Sequence, residues 1–173
     1  MGVAANEDGI QGDIFLAVKS ASAGVISGES QDAAHSKEIE VRAWSWGMAA
    51  RVAPGGGIVH TGKASVQELK IVKGIDTAST ALMWALKNNE VIVSAVLTVR
   101  KAGSKPLEFL KITLEDARVS TIAIEGGVPP GSVGIVEVVT FAFNKILITY
   151  VGQGKDGQSL GGRDFVDSFG GNA

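Results

Sequence analysis

Apolar and polar residues alternate along most of this chain, and that spacing predicts a protein built mainly from β-strands. In residues 91–100, valine, alanine and leucine alternate with serine, threonine and arginine. Residues 110–115 repeat the alternation after a turn of lysine, glycine and proline residues. Because alternate side chains of a strand point to opposite faces, these two runs predict a hairpin with one buried face.

Further short runs with strand composition, separated by turn residues, predict about eight strands in all. They lie at 13–18, 37–46, 64–72, 119–124, 135–143 and 145–151. A single segment has helical spacing: Asp76 or Thr77 caps it, apolar residues recur every three or four positions, and Asn88-Asn89 ends it with a left-handed residue. We therefore predict one helix, about 77–88, beside a β-sandwich or closed barrel.

The strand predicted at 37–46 ends in two tryptophans with a serine between them. Residues two apart in a strand share a face, so Trp44 and Trp46 point one way and Ser45 points the other. The apolar residues earlier in this strand have the parity of Ser45, which breaks the alternation. Either a bulge near Arg42 switches the faces, or both faces of the strand are partly covered.

The composition narrows the classes of function. A chain of 173 residues with 45% hydrophobic and 20% charged residues is typical of one domain with a sizeable core. Its net charge of −2 predicts no nucleic-acid partner, and its apolar runs are far shorter than the roughly 20 residues that span a bilayer. There is no cysteine and there are only two histidines, so we predict no disulfide, no metal site and no cofactor.

Two glycine-rich stretches are predicted to lie outside the strands. The loop at about 51–63 contains Pro54, Gly55, Gly56 and Gly57, and such a run does not continue a strand or a helix. After residue 151 the chain turns to glycine and polar residues. We therefore divide it into a β domain at 1–151 and a loosely ordered Gly-rich tail at 152–173, which is too short for a second catalytic domain.

No arrangement of residues in the sequence indicates an enzyme. Residues 57–64 nearly match a phosphate-binding loop, but Ala64 stands where serine or threonine would bind magnesium, and a strand follows instead of a helix. His35 and His60 lack metal-ligand spacing, so we expect solvated loop histidines. Ser45 has no histidine or acid at the spacing of a triad. We predict no catalytic residue, and a binding module or an assembly subunit fits the sequence better.

The three tryptophans leave one binding alternative open. Trp44, Trp46 and Trp84 are able to stack on sugars, which would make the chain a carbohydrate-binding β-sandwich. Large aromatic residues are more often buried, so we expect all three in the core. An assembly subunit whose sheet edges are used by neighbours would account for many strands without evident edge protection.

Blocks of sequence along the chain resemble, in the same order, the Hcp family, the haemolysin-coregulated tube proteins of type VI secretion. The blocks are DIFL at 13–16, GESQD at 28–32, EIEV at 38–41 with WSWG at 44–47, GKASVQEL at 62–69, DTASTALM at 76–83, and LTVRKAG at 97–103 with LEFLKI at 107–112. The similarity covers about 13–151. Thr80 replaces the usual proline of the first helical turn, and the tail after residue 151 matches nothing that we align.

The resemblance implies a flattened β-barrel of two antiparallel sheets with one flanking α-helix. It further implies that six copies close into a homohexameric ring and that rings stack into a tube. That tube would lie inside a contractile sheath, carry a spike at its tip and be expelled from the cell. Small effector proteins would be held and stabilised inside the ring. A ring built from two different surfaces of each subunit is geometrically sound, since sixfold rotation closes it.

The resemblance also suggests roles for particular residues. Ser45 would face the bore of the ring, where a small polar side chain tolerates varied cargo. The loop at 51–63, with Pro54, Gly55, Gly56 and Gly57, would reach the adjoining ring. The N-terminus lacks a basic region followed by an apolar run, so we expect a cytoplasmic protein that is secreted without a signal peptide.

Overall fold

The computed structural model describes residues 12–50, 64–103, 106–127, 129–154 and 158–169, and within these ranges it contains ten strands and one helix. In chain order they are β1 Gly12–Ser20, β2 Gly24–Ile26, β3 Ile39–Ser45, β4 Met48–Ala49, β5 Ser65–Val66, β6 Leu69–Lys73, α1 Thr77–Lys87, β7 Ile92–Lys101, β8 Leu107–Gly126, β9 Ile135–Gln153 and β10 Ser159–Ser168.

The main strands form a closed antiparallel barrel. Their order is β9-β6-β3-β1-β7-β8, and β8 pairs back onto β9 to close the ring of hydrogen bonds. Strand β2 adds to β1, β10 adds to β9, and β4 pairs with β5 in a separate two-stranded ladder. The prediction of a mainly β barrel with one flanking helix is confirmed. No helix in the described part of the chain is long and apolar enough to cross a membrane.

Strands β8 and β9 are each longer than the sequence predicts. We expected breaks near 116–118 and at 144, where polar residues interrupt the apolar pattern. Instead both strands run on, and the Asn144 side-chain amide donates to the Asp116 carboxylate across the pair at 2.6 Å. Asp116 takes a left-handed backbone conformation (φ 47°), so one residue bends the strand without ending it.

The prediction of a loosely ordered tail is wrong over β10. This strand pairs with β9 from Ser159 to Ser168, and Phe165 lies opposite Ile148. Just beyond the strand, Phe169 packs edge-on against Phe143 with ring centroids 5.8 Å apart. The sequence does not predict this strand because the segment is rich in glycine. Gly161, at positive φ, lies where the register shifts, and the residues from Gly162 to Ser168 pair with β9 in regular order.

Helix α1 begins and ends where the sequence predicts. Asp76 is its N-cap and accepts from the Ala78 amide at 3.0 Å, while the Ser79 hydroxyl accepts from the Asp76 amide. The buried face of the helix joins the barrel core. Asn89, after the last turn, is left-handed at φ 49°, as expected for a helix end.

A buried charged cluster fixes the start of α1 to the barrel. The Lys73 ammonium on β6 donates to the Glu137 carboxylate on β9 at 2.6 Å and to the Ser79 hydroxyl at 2.9 Å. It also lies 2.7 Å from the Asp76 carboxylate. Lys73 and Glu137 are fully buried, so each charge depends on the others in the cluster for the interactions that it loses with water.

Candidate functional site: an open sheet face around Ser45

The faces of β3 are switched by a bulge at Arg42. The pairing of β3 with β6 shifts register between Val41 and Ala43. Before the shift, Ile39 and Val41 are buried; after it, Ala43 and Ser45 are exposed. Of the two possibilities that the sequence left open, the bulge is therefore the correct one, and it turns Ser45 outward.

The register of neighbouring strands extends this outward position into a surface. Ser45 lies opposite Lys70 on β6, Lys70 opposite Thr140 on β9, and Thr140 opposite Thr121 on β8. Two residues along β3, a parallel row crosses the same strands through Ala43, Val72, Val138 and Ala123. We call these eight residues the open face: Ala43, Ser45, Lys70, Val72, Thr121, Ala123, Val138 and Thr140.

The open face is smooth and nearly uncharged. Its side chains are small or β-branched except for Lys70, which is its only charged member. The Thr121 and Thr140 hydroxyls hydrogen-bond to each other at 2.7 Å. No group of three or more histidine, cysteine or acidic residues able to hold a metal ion occurs among the described residues. The open face has the chemistry for broad, weakly selective contact, since hydroxyls both donate and accept hydrogen bonds and methyl groups make contacts without a preferred direction.

The opposite face of the same strands is covered. Between the two rows of the open face runs a third row, whose side chains point to the other side of the strands: Trp44, Ile71, Val139 and Ile122. Each of these side chains belongs to the core or packs against it. Helix α1 lies over this side, because Met83 and Leu86 line a groove with Ile122 and Ile124. The open face and α1 are therefore on opposite sides of the barrel wall.

The tryptophans do not form a platform for sugars. Trp44 and Trp46 are partly buried and pack against the core, as expected. Trp84 was also expected in the core, and that prediction is wrong: the residue is 58% exposed on the outer side of α1, with the Lys87 ammonium 4.7 Å from its ring centroid. The helical spacing places Trp84 two positions past buried Leu82, which turns it to solvent.

A two-stranded stem leaves the barrel next to Ser45. Met48 pairs with Val66 and Ala49 with Ser65, and the Gln67 amide donates to the Gly47 carbonyl at 2.8 Å. This stem brings together the two ends of the predicted stacking loop. Residues 51–63, including Pro54, Gly55, Gly56 and Gly57, lie outside the described residues.

A second polar cluster holds the segment 27–38, between β2 and β3, against the barrel. The Arg100 guanidinium on β7 donates to both oxygens of Asp32, at 3.0 and 2.5 Å, and to Asp13 at 2.8 Å. This bidentate contact lowers the pKa of Asp32 to about 2 and raises the pKa of Arg100.

The expectation of a solvated His35 is wrong, because this side chain is only 6% exposed. It stacks on Phe15 with ring centroids 4.3 Å apart and an interplanar angle of 10°. Its two ring nitrogens lie against Glu38 and Glu108. Sequence spacing gave no sign of this arrangement, since Glu108 comes 73 positions after His35.

Comparison with known proteins places the whole barrel in one family. A family model described as "Type VI secretion system effector, Hcp" matches residues 15–150. Protein hcp1 of Pseudomonas aeruginosa is 37% identical over 152 residues, which are 87% of this chain and 90% of that protein.

Solved structures agree with that match. The crystal structure of Hcp1 from Salmonella typhimurium is 32% identical, with a TM-score of 0.69 over 91% of this chain and 94% of that one. A structure titled as a type six secretion system protein is 25% identical, with a TM-score of 0.80 over 91% of this chain and 96% of that one. The chain belongs to the Hcp family of type VI secretion tube and effector proteins, and it is therefore a structural secretion protein rather than an enzyme or a carbohydrate-binding module.

Proposed function

We propose that six copies of this chain close into a ring whose bore is lined by the open face, with Ser45 pointing into the bore. The observation that carries the proposal is the open face itself: a four-strand surface of small, nearly uncharged residues, opposite a side wall covered by α1. An exposed apolar or neutral surface of this extent on a sheet is typical of a contact or binding surface.

The edges of the open face support closure between copies. Within the described residues, β3 pairs with β1 only at Glu40 and Ile39, so its later part, which carries Ser45, leaves β1. At the other side, β8 pairs with β7 only as far as Ala117, and the stretch 119–126 pairs with β9 alone. The two borders of the open face are thus different strand edges. Joining one to the other around a rotation axis extends the sheet from copy to copy.

The bore would hold small effector proteins without selecting one closely. Hydroxyl and methyl groups around Ser45 give broad contact, and Ser45→Gln lengthens the side chain by several atoms at each of the ring's equivalent positions. We expect this variant to form rings normally and to retain less co-purified effector. The matched control is Asn88→Gln. It places the same side chain at an exposed position at the end of α1, on the side of the barrel wall away from the open face. Equal effector retention by both variants would contradict the lumen assignment.

We propose further that the loop carrying Pro54, Gly55, Gly56 and Gly57 contacts the next ring in a stacked tube. The support is the β4–β5 stem, a separate two-stranded ladder that follows Ser45 closely along the chain and pairs the residues on either side of this loop. Deleting residues 54–57 should leave single rings intact and reduce tube length, measured by electron microscopy. Tubes of wild-type length would contradict the role of the loop.

Membership of the family supports the remaining partners and the route. We propose that the stacked rings lie within a contractile sheath and meet a spike at the tip. We also propose that the protein is cytoplasmic before firing and leaves the cell without cleavage of a signal peptide. The intact mass of the secreted protein should equal that of the cytoplasmic protein. A secreted form shortened at its N-terminus would contradict this route.

A further inference from the structure

The segment 27–38 is a closed loop that runs directly into β3. The Gly28 amide donates to the Lys37 carbonyl at 2.7 Å, and the Lys37 amide donates to the Ser30 carbonyl at 2.9 Å. The Asp32 carboxylate accepts from the Ala34 and His35 amides at 2.9 and 3.2 Å. The loop is therefore rigid within itself, and its attachment to the barrel sets where β3 begins.

Two side chains attach this loop to the barrel across long stretches of sequence. Asp32 binds Arg100 on β7, as described above. His35 reaches β8, where its Nε2 lies 3.2 Å from the Glu108 carboxylate, while its Nδ1 lies 3.0 Å from the Glu38 carboxylate. Its ring is stacked on Phe15 of β1. The imidazole is therefore held on one face and at both nitrogens.

The two carboxylates around His35 favour a ring that carries a proton on both nitrogens. A carboxylate only accepts hydrogen bonds, so a ring nitrogen opposite a carboxylate must donate. A neutral imidazole has one donor and one acceptor nitrogen, and it would place a lone pair against one of the two carboxylates. Only the imidazolium satisfies both contacts.

We propose that His35 is a positively charged clasp that joins Glu38 to Glu108 and positions the loop 27–38. It is a positioning residue for β3, because only three residues separate His35 from Ile39, where that strand begins.

The charges around the clasp favour this assignment. From β8, Glu108 faces His35 and also lies 3.2 Å from the Lys111 ammonium. Burial alone would raise the pKa of Glu108, but Lys111 and His35 together lower it, so Glu108 is a carboxylate at neutral pH. From the loop, Glu38 faces the other nitrogen. From β7, Arg100 lies over the far ring, 5.1 Å from the Phe15 centroid, and Asp32 and Asp13 neutralise it.

Nuclear magnetic resonance of the full chain, with ¹⁵N-labelled histidine, tests the protonation state directly. His60 is the only other histidine, and a His60→Gln variant assigns the signals. At pH 7 we expect both ring nitrogens of His35 to carry a proton. A single protonated ring nitrogen on His35 at pH 7 would overturn the proposal.

Hydrogen exchange tests whether His35 holds the loop. Rates for the Gly28, Ser30 and Lys37 amides are corrected for intrinsic exchange and compared with amides of α1. In His35→Gln, which supplies a donor for one carboxylate only, the protection of these loop amides should fall on the order of tenfold, since hydrogen bonds to charged groups have about this weight. Asp32→Asn is the control, because it should weaken the protection of the loop while both ring nitrogens of His35 stay protonated. Equal protection of the loop amides in wild type and in His35→Gln would also overturn the proposal.

Discussion

The two faces of the barrel sheet differ in the burial and packing of their side chains. Along β6, Ile71 is fully buried, while its neighbour Lys70 is exposed. On β9, Val139 is likewise fully buried, and its neighbour Thr140 is partly exposed. The covered face is determined by packing against α1 and the core, whereas the open face keeps small side chains where packing makes no demand. Stability should therefore depend on the first face and assembly on the second.

The largest effect should come from the charged cluster at the end of the covered face. Glu137→Ala leaves the Lys73 ammonium buried beside a single remaining carboxylate, that of Asp76. Removing one partner of a buried ion pair costs about 3–5 kcal/mol. Urea denaturation should show this loss in the free energy of unfolding.

The double variant Lys73→Met with Glu137→Leu is the matched control for that result. It removes both charges and keeps apolar volume, so it should recover most of the lost stability. A cost below about 1 kcal/mol for Glu137→Ala alone would show that the covered face does not depend on this cluster.

The next effect separates the two faces at adjacent residues. Ile71→Ala removes a fully buried side chain and should cost about 2–5 kcal/mol. Lys70→Ala, one residue away on the open face, should change the free energy of unfolding by no more than about 0.5 kcal/mol. Similar losses for the two variants, measured in the same urea titrations, would mean that the faces are not distinct.

The smallest effect should come from the ion pair between Arg100 and Asp32, which belongs to neither face. The Arg100 contact lowers the pKa of Asp32 from 3.8 to about 2. A carboxylate with a lowered pKa in the folded state stabilises the protein above its unfolded-state pKa, and this stabilisation is lost as the pH falls through the folded-state value. Between about pH 4 and pH 2, wild type should therefore lose stability more steeply than Asp32→Asn.

Thermal denaturation across that range measures the difference in slope, with exposed Glu125→Gln as a control that should follow wild type. Identical pH dependence of wild type and Asp32→Asn would exclude the Arg100 contact as a source of acid sensitivity.

Local pattern was enough to predict much of this fold. The β7–β8 hairpin and the caps of α1 depend on residues close in sequence, and the structure contains both. The bulge at Arg42 was one of two possibilities that the sequence left open, and the register of β3 and β6 decides for it. The outward position of Ser45 followed from the same alternation. These features are determined by spacing and turn chemistry, which a single chain displays directly.

Features that depend on distant partners were missed. Strand β10 carries glycines and little alternation, and its order comes from pairing with β9. The burial of His35 depends on Glu108, and the other members of the open face depend on registers between strands far apart in sequence. No local spacing encodes such contacts, so the sequence marked Ser45 and left the rest of its surface undefined.

The most direct test of the account uses the absence of cysteine from this chain. Ser45→Cys introduces a single thiol, to which a compact, electron-dense maleimide label can be attached before electron microscopy of the purified protein. We expect annular particles with label density inside the central hole. A protein that stays strictly monomeric at high concentration, or rings that carry the label on their outer surface, would contradict the claim that the open face lines a bore.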